Sequence, residues 1–327
     1  MVKETVASAL AGMPNLRIIR RPYDPEDDIS FANSPAPAED AEIVEGDSLS
    51  AFQVPAADES RFTHFTDGVQ KSRPAFFDGQ LPGYFAALGA SIMRRVDRML
   101  LESTNYVSLS AIVAPAESET LPRLAHAGFE VRPTEAEAGS GMSGLAEAVK
   151  TKISTLRNEM EDRIRVDWLR MNSDGWLLAD GGIASSAAAV LENRKIVGVV
   201  KSHNKQYFAS RQAADVVLNL RAGERSSVFV ARRGSLGRDV VYSWYLRLVE
   251  DMNESPAFGL VRVELPFVDE SIGSADEVSG WLLAERAPLS LPDRRYDRML
   301  YPIRCVEQYL KALLPSDSAM SAIVGAI

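Results

Sequence analysis

The apolar positions along the chain fall into two periods, and the clearer one is helical. Leu145, Val149, Ile153, Leu156, Met160, Ile164, Trp168 and Met171 recur at three- and four-residue steps, which predicts one long amphipathic helix over 145–171. Elsewhere the apolar residues come in short runs bounded by Gly, Asp or Pro, and such runs read as strands. Strands are predicted at 61–66, 83–95, 106–113, 175–180, 195–201, 227–231, 240–248 and 259–266, with 83–95 and 106–113 as antiparallel neighbours. Shorter helices are expected at 2–10, 185–192, 275–287 and 295–314, a loop-helix excursion over 115–144, and a loose helix over 316–327. Five or more strands, with a long helix between them and helices at the end, predict a mixed α/β fold rather than an all-β sandwich. The body is expected over 61–314, preceded by an irregular, Pro-rich acidic segment (1–60) and followed by a tail (315–327).

Two of the predicted strands share an ending. Thr66-Asp67-Gly68 closes the first, and Ala179-Asp180-Gly181-Gly182 closes the one after the long helix. An aspartate at the C-terminal end of a buried strand holds its carboxylate at the mouth of a sheet, and the glycines let backbone or ligand approach it. Asp-Gly is also a common turn dipeptide, so each occurrence taken singly reads first as a turn, and it is the pair at strand ends with a flanking helix acid that points to a site. On the helix, Glu161 lies on the flank of the apolar stripe, on the side of Trp168. Asp167 falls inside the stripe and is its rival, whereas Glu159 points further out. The plain alternative for Glu161 is an i,i+4 pair with Arg157. Hydrolysis of a phosphodiester by two hard cations needs carboxylates converging from separate elements. Asp67, Glu161 and Asp180 would supply such a set for Mn²⁺ or Mg²⁺.

Composition narrows the chemistry. A single cysteine, Cys305, leaves no internal disulfide or thiolate cluster and suits a reducing, cytoplasmic setting. No Gly-x-x-x-x-Gly-Lys-Ser/Thr occurs, so a P-loop is excluded, and the absence of Cys-x-x-Cys and His-x-x-x-His argues against a zinc site. No apolar run reaches the ~18 residues of a membrane span, and no signal-peptide layout opens the chain. The net charge of −9 argues against a strongly basic nucleic-acid binder, but the charge is unevenly spread. Residues 1–50 hold ten acids and four basic residues, while 194–247 hold eleven Lys/Arg against three acids. That tract, with Lys201, Lys205, Arg232 and Arg233, is compatible with local phosphate contact and equally with a solvated charged surface.

The order of these motifs resembles the NurA nuclease family over roughly 60–314. Asp-Gly on a first strand is followed by an acid on a helix, then by Asp-Gly closing a strand. Gly198-Val199-Val200-Lys201, Tyr242-Ser243-Trp244-Tyr245-Leu246-Arg247, Val261-Arg262-Val263-Glu264-Leu265-Pro266 and Tyr301-Pro302 come after them. The resemblance implies an RNase H-like mixed central sheet flanked by helices and a Mn²⁺-dependent nuclease acting on DNA ends and single strands. It also implies a homodimer that works with a HerA-type hexameric ATPase in DNA end processing or antiviral defence. Position by position, Asp67, Glu161 and Asp180 match the metal-binding acids, Lys201 the lysine after the second strand pair, and Tyr301 the tyrosine of the Tyr-Pro motif. The family histidine eight residues after that tyrosine is Tyr309 here. Asp297, one turn before Tyr301, is the candidate replacement ligand or proton acceptor. His203 is a further candidate assistant, and Glu264 is expected to be structural. The alternative function is a nuclease-like scaffold that binds the motor or DNA without cleaving; a metal-dependent phosphatase of another kind is a third reading.

Overall fold

A computed structural model of the chain describes residues 40–96, 99–102, 106–135, 141–171, 175–186, 188–203, 205–233, 238–250, 255–268, 272–286 and 300–325. The helix expected at 2–10 and Asp297 lie outside the described residues.

The strands are β1 (Ala51–Gln53), β2 (Phe62–Asp78), β3 (Leu81–Val96), β4 (Met99–Glu102), β5 (Val107–Pro115), β6 (Val131–Thr134), β7 (Trp176–Asp180), β8 (Ile196–Val200), β9 (Glu224–Ser226), β10 (Phe229–Arg233), β11 (Arg238–Arg247) and β12 (Leu260–Pro266). The helices are α1 (Thr120–His126), α2 (Met142–Met171), α3 (Ala188–Leu191), α4 (Arg211–Leu218), α5 (Ala275–Glu285), α6 (Tyr301–Leu313) and α7 (Asp317–Gly325). All the described strands join one mixed sheet in the order β1-β9-β11-β12-β8-β7-β2-β3-β5-β6, with β10 on β11 and β4 on β3. The central β2, β7 and β8 run parallel, β12 is antiparallel to β8, and β3 is antiparallel to both β2 and β5.

Helices cover both faces, and this explains the unbroken apolar run at 176–179. In β7, Leu178 faces α5 and α6, in a core with Phe65, Val199, Trp244, Val263, Trp281 and Val306. Its neighbours Leu177 and Ala179 face α2 and α4, with Ile164, Trp168, Ile196 and Val217. At about 25 cal/mol per Å² of apolar surface, these two layers supply most of the drive to fold. The far part of β3 and β5 packs on α2 through Leu88, Val113, Val149 and Ile153, and on α1 and α7 through Phe85, Ile112, Leu121 and Met320.

One expected boundary is corrected. The first strand does not stop at Thr66, and Asp67-Gly68 is no turn. β2 runs on because β3 supplies a ladder partner throughout, with Asp67 opposite Ser91 and Gly68 opposite Ala90. The turn falls at a second Asp-Gly, Asp78-Gly79, where Gly79 takes φ +62°. By contrast β7 does end at Asp180, where Gly181 turns the chain at φ +86°. The last β2–β7 pair is Thr66 with Ala179. Beyond it β2 has a neighbour on the β3 side alone, which leaves a notch in the middle of the sheet with Asp67 and Asp180 at its lip.

Several short elements were not foreseen: β1, β4, β6, β9 and α4. From residue 40 on, the acidic segment is bound to the sheet: Glu45 pairs with Arg225 at 2.6 Å and accepts Val228 N–H at 2.9 Å. The helix expected at 185–192 shrinks to Ala188–Leu191. No helix among the described residues is long and apolar enough to cross a membrane.

Candidate functional site

The notch opens into a cleft of about 930 Å³. Asp67, Gly68 and Asp180 line its floor, α2 one wall through Arg157, Glu161 and Arg165, and α6 the other through Glu307 and Lys311. Lys201, Lys205, Tyr207, Arg262 and Glu264 close the side beneath β8 and β12. The three acids singled out in the sequence therefore share one cleft, although they come from a strand interior, a helix and a strand end.

Glu161 reaches the floor because residue 68 has no side chain: a Cβ there would collide with its Oε1. The rivals do not share this position. Asp167 pairs with Arg170 at the surface, 3.3 Å away, and Glu159 lines the cleft without a close approach to Gly68. The plain expectation for Glu161 is also met, and doubled. Its carboxylate takes Arg157 at 3.2 Å and Arg165 at 2.9 Å, both one helical turn away. Arg165 itself is buried and was not foreseen.

Asp180 is held by Lys201, Nζ to Oδ1 at 2.7 Å. Asp67 is 6% exposed, and its Oδ1 accepts the Gly68 N–H at 2.7 Å. Burial raises its pKa well above the ordinary range, and the Asp180 carboxylate adds to this, while Lys201 pulls the other way. Burial also raises the Glu161 pKa, against the two arginines and with Asp180. A buried, charge-crowded carboxylate is a group that a cation would stabilise, and the donors offered are oxygens alone, the preference of Mg²⁺ and Mn²⁺. Among the described residues, however, no three His, Cys, Asp or Glu side chains converge as a ready cation cage. Two of the three acids are turned instead towards the cations named above, so metal entry would have to displace those ion pairs.

The other predicted residues are more scattered. Lys205 lines the cleft and lies 4.9 Å over the Tyr207 ring. Arg232 and Arg233 fall in β10, and their side chains are outside the described residues. Tyr301 opens α6 but is 50% exposed and is not among the cleft residues. Tyr309, at the family histidine position, packs against the apolar core. His203 is buried, with Nε2 3.0 Å from the Leu260 carbonyl oxygen; burial lowers its pKa to about 4.

Arg262, Glu307 and Lys311 also line the cleft, with no role expected from the sequence, and so does Glu264, expected to be structural. A signal for Arg262 and Glu264 was present. β12 is buried along its length, yet its alternate positions 262 and 264 are charged, placing an ion pair on one face of an interior strand. Comparison of the chain with protein-family models and with curated proteins finds no match.

Proposed function

We propose that this protein is a metal-dependent DNA nuclease of NurA type, with an RNase H-like core, that hydrolyses phosphodiesters in the central cleft. The observation that carries the reading is the meeting of Asp67, Glu161 and Asp180 in one cleft that also presents Arg157, Lys201, Lys205 and Lys311. The three carboxylates would hold Mn²⁺ or Mg²⁺, which when bound supplies an activated water and charge stabilisation at the phosphate. Lys201, on leaving Asp180, is in place to neutralise a non-bridging phosphate oxygen. Lys205 and Lys311 lie along the path of the flanking strand. A HerA-type ATPase as partner, a homodimeric state and a role in DNA end processing or antiviral defence belong to the same proposal. A motor that grips the DNA would relieve a chain of net charge −9 from binding it strongly by itself.

A second reading, a scaffold that binds DNA or the motor without cleaving, is favoured by the ion pairs that engage Glu161 and Asp180 and by the position of Tyr301 outside the cleft. Labelled single-stranded and linear duplex DNA, incubated with Mn²⁺ in the presence and absence of EDTA, separates the two. The nuclease reading expects cleavage by wild type, abolished by EDTA and by Asp67→Ala or Asp180→Ala. Equal signals in all samples favour the scaffold.

A further inference from the structure

Four residues form a row across the centre of the sheet: Thr66 of β2, Ala179 of β7, Gly198 of β8 and Glu264 of β12. The third place in the row is empty of side chain, and the chain leaving Asp180 uses that space. Gly181 donates its N–H to the Val199 carbonyl at 2.8 Å, and its own carbonyl oxygen would sit 2.9 Å from a Cβ on residue 198. The turn is thus laid over β8, towards β12. There Glu264 Oε2 accepts two successive backbone amides, Ile183 N–H at 2.6 Å and Ala184 N–H at 3.0 Å. Gly182 passes so close that a Cβ on it would come within 2.9 Å of the same oxygen. The other oxygen, Oε1, pairs with Arg262, whose guanidinium also donates to Ser243 Oγ at 3.0 Å and lies 4.7 Å over the Tyr207 ring.

Glu264 is 1% exposed, and burying an ion pair is a poor way to add stability, since apolar residues of the same volume do as well or better. What the pair does supply is a fixed anion aimed at one turn, the turn that sets the direction of Asp180. We propose that Glu264 is a positioning residue. By clamping the amides of Ile183 and Ala184 it fixes the Gly181–Gly182 turn, and so holds the Asp180 carboxylate at the orientation needed to take a divalent cation together with Asp67. Arg262 holds the Glu264 carboxylate in place through its other oxygen. This role rests on the metal reading of the cleft given above.

Two conservative variants separate the clamp from the ion pair. Glu264→Asp keeps the charge that Arg262 requires but draws the carboxylate back from the turn by one methylene. Glu264→Gln keeps an acceptor oxygen within reach of the turn but removes the charge. Amide hydrogen exchange in EDTA reads the clamp directly at Ile183 and Ala184, with Ile112 on the far side of the sheet reporting global stability. Mn²⁺ titration followed by electron paramagnetic resonance reads the consequence. In Glu264→Asp, exchange at Ile183 and Ala184 should accelerate more than at Ile112, and Mn²⁺ affinity should fall by roughly tenfold or more. Glu264→Gln should retain most of both. The reverse order, with Glu264→Gln the weaker Mn²⁺ binder, would assign the residue to the ion pair alone and overturn the clamp. Wild-type Mn²⁺ affinity in Glu264→Asp would also overturn it. Wild-type protein that binds no Mn²⁺ would instead remove the metal reading, and the positioning role with it.

Discussion

Asp67 concentrates the tension in this molecule between folding and function. Its carboxylate is buried, and desolvation followed by the Asp180 charge raises its pKa. In the unfolded chain the same group titrates near the ordinary value of 3.8. Between the unfolded and folded pKa values the native state therefore binds more protons, and stability falls as pH rises through that window. Asp67→Asn removes the penalty: in EDTA at pH 7 it should melt above wild type, and the difference should close as the pH is lowered towards 4. A thermal melt series checks this, and a wild type that melts higher at pH 7 would contradict it. His203 behaves in the opposite sense. Its pKa is lowered from 6.5 to about 4 by burial, so the native state resists a proton that the unfolded chain accepts. Its contribution to stability is complete above pH 6.5 and lost as the pH drops towards 4. The loss amounts to on the order of 3 kcal/mol at most. His203→Asn should flatten that part of the acid-denaturation profile.

At the scale of elements, the site depends on how closely β2 and α2 approach. Gly68 leaves room for the Glu161 carboxylate, and a methyl group there would overlap that buried, ion-paired side chain from Cγ to Oε1. Gly68→Ala should therefore lower the melting temperature without abolishing folding while displacing Glu161 from its arginines, and cleavage should fall at least tenfold, the scale of a disturbed metal ligand. Loss of folding would show instead that the approach is structural. The elements were unevenly legible in the sequence. The long helix was plain, since its apolar residues at 145, 149, 153, 156, 164 and 168 are all buried. The strand closing at Asp180 was equally plain, because burial on both faces leaves an uninterrupted apolar run. The extent of β2 was hidden: its second half alternates exposed and half-buried residues, and an Asp-Gly in mid-strand carries the same letters as the true turn at Asp78-Gly79. β1 and β9, three residues each, hold too little pattern to stand out from loop. For the cleft, periodicity put Glu161 on the flank of its helix that lines it. It could not bring in Glu307 and Lys311, whose place depends on where α6 docks across the sheet.

Over the whole molecule, charge is the property that decides how nucleic acid would be met. The chain carries 36 Lys and Arg against 45 Asp and Glu, so under the proposed function attraction to phosphate would be local to the cleft. Binding of single-stranded DNA should accordingly weaken only shallowly with salt, because few phosphate contacts are made. Lys205→Ala should reduce the slope of log K against log salt by about 0.7, one single-strand phosphate contact, and an unchanged slope would place the strand elsewhere. The central claim, that acids from β2, α2 and β7 act together on a divalent cation, is met most directly by diffraction. Crystals soaked in Mn²⁺ and measured at the manganese absorption edge should show an anomalous peak bounded by Asp67, Glu161 and Asp180, with Lys201 drawn away from Asp180. A peak elsewhere, or none while Lys201 and Arg165 keep their carboxylates, would contradict it.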